Sequence, residues 1–83
     1  MATYRLTNGY ANGYAWQSDT DADAIKHCME ATRLFNTSNW LFRKQDGGKW
    51  EELGRTRKGG YFWDFEPNEG VTIDGETIKY PLP

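Results

Sequence analysis

Alternation of apolar and polar positions marks the first strand. In residues 3–7, Thr-Tyr-Arg-Leu-Thr, Tyr4 and Leu6 fall on one face. A tandem repeat follows, Asn8-Gly9-Tyr10-Ala11 and then Asn12-Gly13-Tyr14-Ala15. Asn-Gly is a strong two-residue turn signal, because both residues tolerate positive φ. Either copy can turn the chain into a second strand over about 14–18, with Tyr14 and Trp16 on one face. Two registers, four residues apart, stay open.

The period then changes. Over residues 20–35, Ile25, Cys28, Met29, Thr32 and Phe35 share one face at about 100° per residue. Ala24 and Ala31 flank that face, and Asp23, His27, Glu30 and Leu34 lie opposite. Thr20 and Asp23 fit a capping box. Asp21 and Asp23 suit the positive end of a helix, and Asn36 is a natural stop.

Alternation returns at Trp40 to Lys44, a strand. Asp46-Gly47-Gly48-Lys49 turns it, and Trp50 to Arg55 runs back, placing Arg43 and Lys44 near Glu51 and Glu52. Lys58-Gly59-Gly60 breaks the chain before a strand over Tyr61 to Phe65. Glu66-Pro67-Asn68-Glu69-Gly70 forms a turn. Val71 to Ile73, Asp74-Gly75 and Glu76 to Tyr80 make a last hairpin, ended by Pro81 and Pro83. The order is ββαββ followed by two or three C-terminal strands. It predicts an α+β domain with a single helix, about 20–35, packed on a mostly antiparallel sheet. At 83 residues one domain is expected.

Composition shifts the expected core toward rings. There are 13 aromatic residues against nine Leu, Ile and Val together. Tyr4, Tyr14, Trp16, Phe35, Trp40 and Phe42 fall where a one-helix sheet needs a core. Tyr10, Trp50, Tyr61, Trp63 and Tyr80 are harder for one helix to cover, so some rings stand exposed or meet a partner. Cys28 is the only cysteine, which excludes an intrachain disulfide and a cysteine zinc site. The first residues lack the apolar stretch of a secretory signal, and no apolar run approaches about 18 residues. The expected location is the cytoplasm (host cytoplasm if the chain is phage-encoded), with no membrane contact.

Little in the sequence carries catalytic chemistry. His27 adjoins Cys28, but helix neighbours diverge by about 100°, so they cannot form a nucleophile pair. Cys28 reads as a buried, inert thiol and His27 as solvated. Asp19, Asp21 and Asp23 alternate as in a calcium loop but lack its glycine. Asp64 and Glu66 form a carboxylate pair with nothing local to separate their pKa values. The reading is a non-enzymatic chain with no metal and no cofactor.

Charge is unevenly placed. Residues 40–60 carry net +3, residues 61–83 net −4, and the whole chain −2. A basic cluster of Arg43, Lys44, Arg55, Arg57 and Lys58 thus adjoins acidic residues beginning with Asp64 and Glu66. With Tyr61 and Trp63 between them, these residues form a candidate binding surface, bipolar and suited to orienting a protein partner. Residues 58–65, Lys-Gly-Gly-Tyr-Phe-Trp-Asp-Phe, also resemble the RNP1 stretch of RNA-recognition motifs. Lys58, Gly59, Phe62 and Phe65 fit; Gly60 and Tyr61 stand in reversed order, and Trp63 replaces the aliphatic residue. The alternative is therefore a small single-stranded nucleic-acid-binding protein using an aromatic and basic strand.

The build resembles the small phage-borne α+β proteins that include some type I anti-CRISPR inhibitors. The resemblance covers about residues 3–55: the strand Thr3-Tyr4-Arg5-Leu6, the acid-capped helix start Asp21-Ala22-Asp23-Ala24-Ile25, and the hairpin over Trp40 to Leu53. It implies a protein-binding module that occupies a surface of a host defence complex. The expected partner is a host protein or complex. Nucleic acid and a homodimer remain open.

Overall fold

A computed structural model describes residues 2–8, 13–45, 47–59 and 62–79; for 57–59, 62 and 63 it describes the backbone only. Tyr10, Tyr61, Tyr80 and the Trp63 side chain, expected to be hard for one helix to cover, lie outside these residues. Strands β1 (Ala2–Thr7) and β2 (Tyr14–Ser18) precede helix α1 (Asp21–Phe35). Strands β3 (Trp40–Lys44), β4 (Glu51–Gly59) and β5 (Phe62–Pro67) follow, then the short pair β6 (Thr72–Ile73) and β7 (Glu76–Thr77). The sheet runs β2-β1-β3-β4-β5 with every neighbouring pair antiparallel, and β6-β7 form a separate ribbon. The chain is α+β with the order expected from its sequence.

Hydrophobic parity explains the first register. Leu6 pairs with Tyr14 and Tyr4 with Trp16. Cross-strand partners share a face, so this register gathers all four apolar side chains on the helix side. A two-residue turn at either Asn-Gly would have put Tyr14 and Trp16 on the opposite face from Leu6. Residues 9–12, which link the two strands, lie outside the described residues. Gly13 enters β2 so close to β1 that a Cβ there would overlap the Leu6 carbonyl oxygen.

The helix ends are well satisfied. Thr20, in extended conformation, accepts from Asp23 N (3.1 Å), as the capping box predicts. The Asp74 carboxylate accepts from Asp21 N (2.7 Å) and Ala22 N (2.9 Å). It reaches them because Asp74 and Gly75, at φ 47° and 87°, turn β6 into β7 as a primed hairpin. These three donors are among the N–H groups that every helix start leaves unpaired. At the other end Asn36 sits in the left-handed region, with its N–H on Thr32 O.

The core sets small helix residues against Tyr4 and leucines; of the six rings expected inside, Tyr4 is buried and Trp16 packs against the core. Its buried members are Ala2, Tyr4, Leu6, Ala24, Cys28, Ala31, Leu41, Leu53 and Val71, with Trp16, Ile25, Phe65, Ile73 and Ile78 packed around them. Ala24, Cys28 and Ala31 give the helix a low profile, so it lies close to the sheet and leaves depth for Tyr4 and leucines. Several expectations are corrected by this. Trp40 and Phe42 are half-buried on the far face, while Leu41 and Arg43 point inward. Phe35 and Tyr14 are exposed. The inward helix face centres on Ala24, Cys28, Ala31 and Thr32 rather than on Met29 and Phe35.

Strand β4 also differs from expectation, continuing to Gly59 instead of ending at Arg55. The pairing Gly59↔Phe62 moves the predicted break to the link between β4 and β5, and Glu66 and Pro67 belong to β5. A bulge at Leu53 and Gly54 opposite Leu41 and Phe42 adds one residue to β4 and turns Leu53 fully into the core. Buried polar groups close the far end. Thr32 Oγ1 and Thr56 Oγ1 lie 2.6 Å apart, Asn39 N donates to Thr56 Oγ1 (2.9 Å), and Asn39 Nδ2 donates to Thr32 Oγ1 (2.8 Å). Among the described residues, no helix is long and apolar enough to cross a membrane.

Candidate functional site

The chemistry-bearing side chains gather at the N-terminal end of the helix. Asp21, buried beneath it, accepts from the Tyr4 hydroxyl and from Arg43 Nη1 (2.8 Å), and also from Asp74 N (2.8 Å). Arg43 also donates from Nη1 to Thr72 O (2.8 Å) and from Nη2 to Glu51 Oε1 (2.6 Å). Burial alone would lower the Arg43 pKa. The Glu51 hydrogen bond and the Asp21 and Glu51 carboxylates outweigh it and hold the pKa above its ordinary value. Burial, then the bond to Asp21, pushes the Tyr4 phenol well above its usual range. A polar depression of about 470 Å³ lies beside this cluster, lined in part by Asp19, Asp21, Asp74 and Gln45. The polar atoms at its base are already engaged with one another, so the cluster ties strand β3, the helix start and the β6-β7 ribbon together. Among the described residues, no three His, Cys, Asp or Glu side chains are placed to hold a metal ion.

Cys28 is fully buried, as its sequence position predicts, and burial pushes its pKa up to about 12. His27 is not solvated as expected. Its ring lies 4.3 Å from the Trp16 ring, and its Nε2 lies 2.6 Å from the Tyr14 hydroxyl. The raised thiol pKa has a testable consequence with a fixed sign. The proton is held more tightly in the folded chain than in the unfolded one. The Cys28 contribution is therefore complete below pH 9 and is lost as pH rises from about 9 toward 12, by about 1.4 kcal/mol per pH unit. Urea midpoints measured between pH 8 and about 11 should fall along that slope, steepening above about 10 as Tyr4 joins, and Cys28→Ala should flatten the first part.

The residues expected to form one binding surface divide. Arg43 is not on the surface at all: it is the buried centre of the ion cluster, because Asp21 beneath the helix needs a cation. Lys44 is exposed, its Nζ 5.8 Å from the centroid of the Trp50 ring. Arg55 is exposed beside Trp40 and opposite Glu66, and Asp64 is exposed opposite Arg57. Arg57 and Lys58 have backbone positions in β4, but their side chains, like Trp63 and all of Tyr61, lie outside the described residues. Lys44, Arg55, Asp64 and Glu66 thus share the face of the sheet turned away from the helix. Trp40 and Phe42 occupy the middle of that face, on the central strand.

A second surface was not anticipated. Leu34 is 77% exposed, Phe35 66% and Tyr14 44%. Two shallow apolar grooves, about 230 and 280 Å³, meet along Tyr14 and Phe35. Leu34 was legible as an outward apolar residue, since it shares the polar side of the helix with Asp23 and Glu30. Phe35 was not, because its angular position is inward and only its place in the last turn leaves it uncovered. No known protein family, curated protein or solved structure matches the chain.

Proposed function

We propose that this chain is a non-enzymatic protein-binding module that acts by occupying a partner's surface. The observation that carries the reading is the apolar patch of Leu34, Phe35 and Tyr14. Three large apolar side chains stand together in solvent on a domain whose core could have used them. Contiguous exposed apolar surface of this kind, rimmed by polar residues such as Glu30, is characteristic of protein interaction sites. The ββαββ order also supports a role of the kind implied by the likeness to small phage-borne inhibitors, with a host defence complex as the partner. Single-stranded nucleic acid is the weaker reading. Trp40 and Phe42 offer rings on the open face, but Glu52, Asp64 and Glu66 stand among Arg5, Lys44 and Arg55 and oppose phosphate.

Affinity capture with the full chain and with a Leu34→Ala/Phe35→Ala variant tests this. The native chain should retain a stoichiometric protein partner. The double variant should bind it at least about 30-fold more weakly, as loss of a central anchor does. Equal recovery of the same proteins by both chains would remove the patch from the function.

A further inference from the structure

The open face of the sheet has an arrangement that the apolar patch does not explain. Residues on that face form rows across the strands. In one row Arg5 of β1 pairs with Phe42 of β3, and Phe42 pairs with Glu52 of β4. In the next, Thr7 pairs with Trp40, Trp40 with Arg55, and Arg55 with Glu66. The aromatic rings therefore lie on the middle strand of five, with a cation on one side of Phe42 and an anion on the other. No element among the described residues lies over this face. Among the described side chains this face is balanced in charge: Arg5, Lys44 and Arg55 against Glu52, Asp64 and Glu66. That argues against a strongly charged ligand.

We propose that this face is the contact between two copies of the chain, packed sheet to sheet about a two-fold axis running along β3. Such an axis exchanges the β1 side with the β4 side while leaving each row at its own height. Phe42 then meets Phe42 of the second copy and Trp40 meets Trp40. Arg5 meets Glu52 of the second copy, and by symmetry the pairing occurs twice. An axis perpendicular to the strands would instead set each strand against its own copy and lose this exchange. The one like-charged pair the axis creates is Lys44 with itself. It sits at the end of β3, where the side chain leans over Trp50 rather than across the interface. Aromatic residues at the centre with opposite charges around them are the anatomy of a self-complementary protein interface.

Mixing charge-reversed chains tests the arrangement. The full native chain should sediment at high micromolar concentration as a species of twice 9.6 kDa. Arg5→Glu and Glu52→Arg should each be monomeric, with the dimer Kd raised about 100-fold by facing like charges. At a dilution where the native chain is itself monomeric, Arg5→Glu should melt close to the native chain and Glu52→Arg only slightly lower, since the Glu52 carboxylate also accepts an exposed bond from Asn68 Nδ2 (2.6 Å). Combined in equal amounts, the two variants should form a mixed dimer, because both cross-copy pairs are then restored. Intrachain effects cannot produce that recovery. A monomeric native chain overturns the proposal, and so does a dimer that both reversals leave intact or a mixture that stays monomeric. A monomer that binds an oligonucleotide in a salt-dependent way on this face would also overturn it, while the Leu34 and Phe35 patch would keep or lose its partner independently.

Discussion

Arg43→Met should destabilise the fold by about 3–5 kcal/mol, the loss seen when one partner of a buried ion pair is removed. Folding stability for a domain of this size is of the order of 4–12 kcal/mol, so the variant should be close to unfolding at ordinary temperature. The cost is high because the Asp21 carboxylate beneath the helix would lose the cation that now stands 2.8 Å away. Asp21 also receives the Tyr4 hydroxyl and Asp74 N, so replacing the whole pair with apolar residues would orphan two donors and should not restore stability. Arg43→Met combined with Asp21→Asn should be more stable than Arg43→Met alone, because the amide keeps an acceptor while removing the stranded charge. Urea unfolding of the four chains in a double-mutant cycle gives the coupling directly. Additivity of the two changes would mean that the ion pair does not hold this corner of the fold.

Gly54→Ala should cost about 3 kcal/mol, the upper end of ordinary overpacking. A Cβ at Gly54 would overlap the Glu66 carbonyl oxygen and come within 2.8 Å of both Phe65 Cζ and Pro67 Cα. Two of those neighbours are backbone, which cannot swing aside as a flexible side chain does. The β4 bulge and the last residues of β5 would have to separate. The same substitution at Gly47, where a Cβ meets nothing within 4 Å, should cost only what its φ of 74° imposes, about 1 kcal/mol. Gly54 also has a positive φ, 158°, so thermal melts of the two variants beside the native chain set backbone conformation plus close approach against backbone conformation alone. Equal losses at both positions would contradict the packing described for Gly54.

Local signals in the sequence were reliable where a single physical rule decides the outcome. Thr20 and Asn36 bound the helix because capping is a matter of a few adjacent residues. Asp74-Gly75 turns the last hairpin because both positions need positive φ. Arg43 faces Glu51 because the turn between them sets the register. Alternation in β3 identified two faces but could not say which was inward. Ring size favoured Trp40 and Phe42; the low helix surface of Ala24, Cys28 and Ala31 decided for Leu41 and Arg43. The partners of Asp21 lie 17, 22 and 53 residues away, beyond any local pattern. Arg43 was legible as a charge in a cluster, and nothing near it in the chain marked it as the one drawn inside. Of the candidate surface, Lys44, Arg55, Asp64 and Glu66 do share a face. Leu34 and Phe35 were read only as positions on a helical wheel, where the end of the sheet is invisible.

The same distribution frames the function. Small residues, three leucines, Tyr4 and an ion cluster hold the fold, and several large apolar side chains are left outside it. Urea unfolding of the Leu34→Ala/Phe35→Ala variant tests that division most directly. If these side chains serve binding and not the core, the unfolding free energy should change by no more than about 0.5 kcal/mol. A loss of about 4 kcal/mol or more, the scale of emptying two buried positions, would show that the patch belongs to the core and would contradict its role as a docking surface.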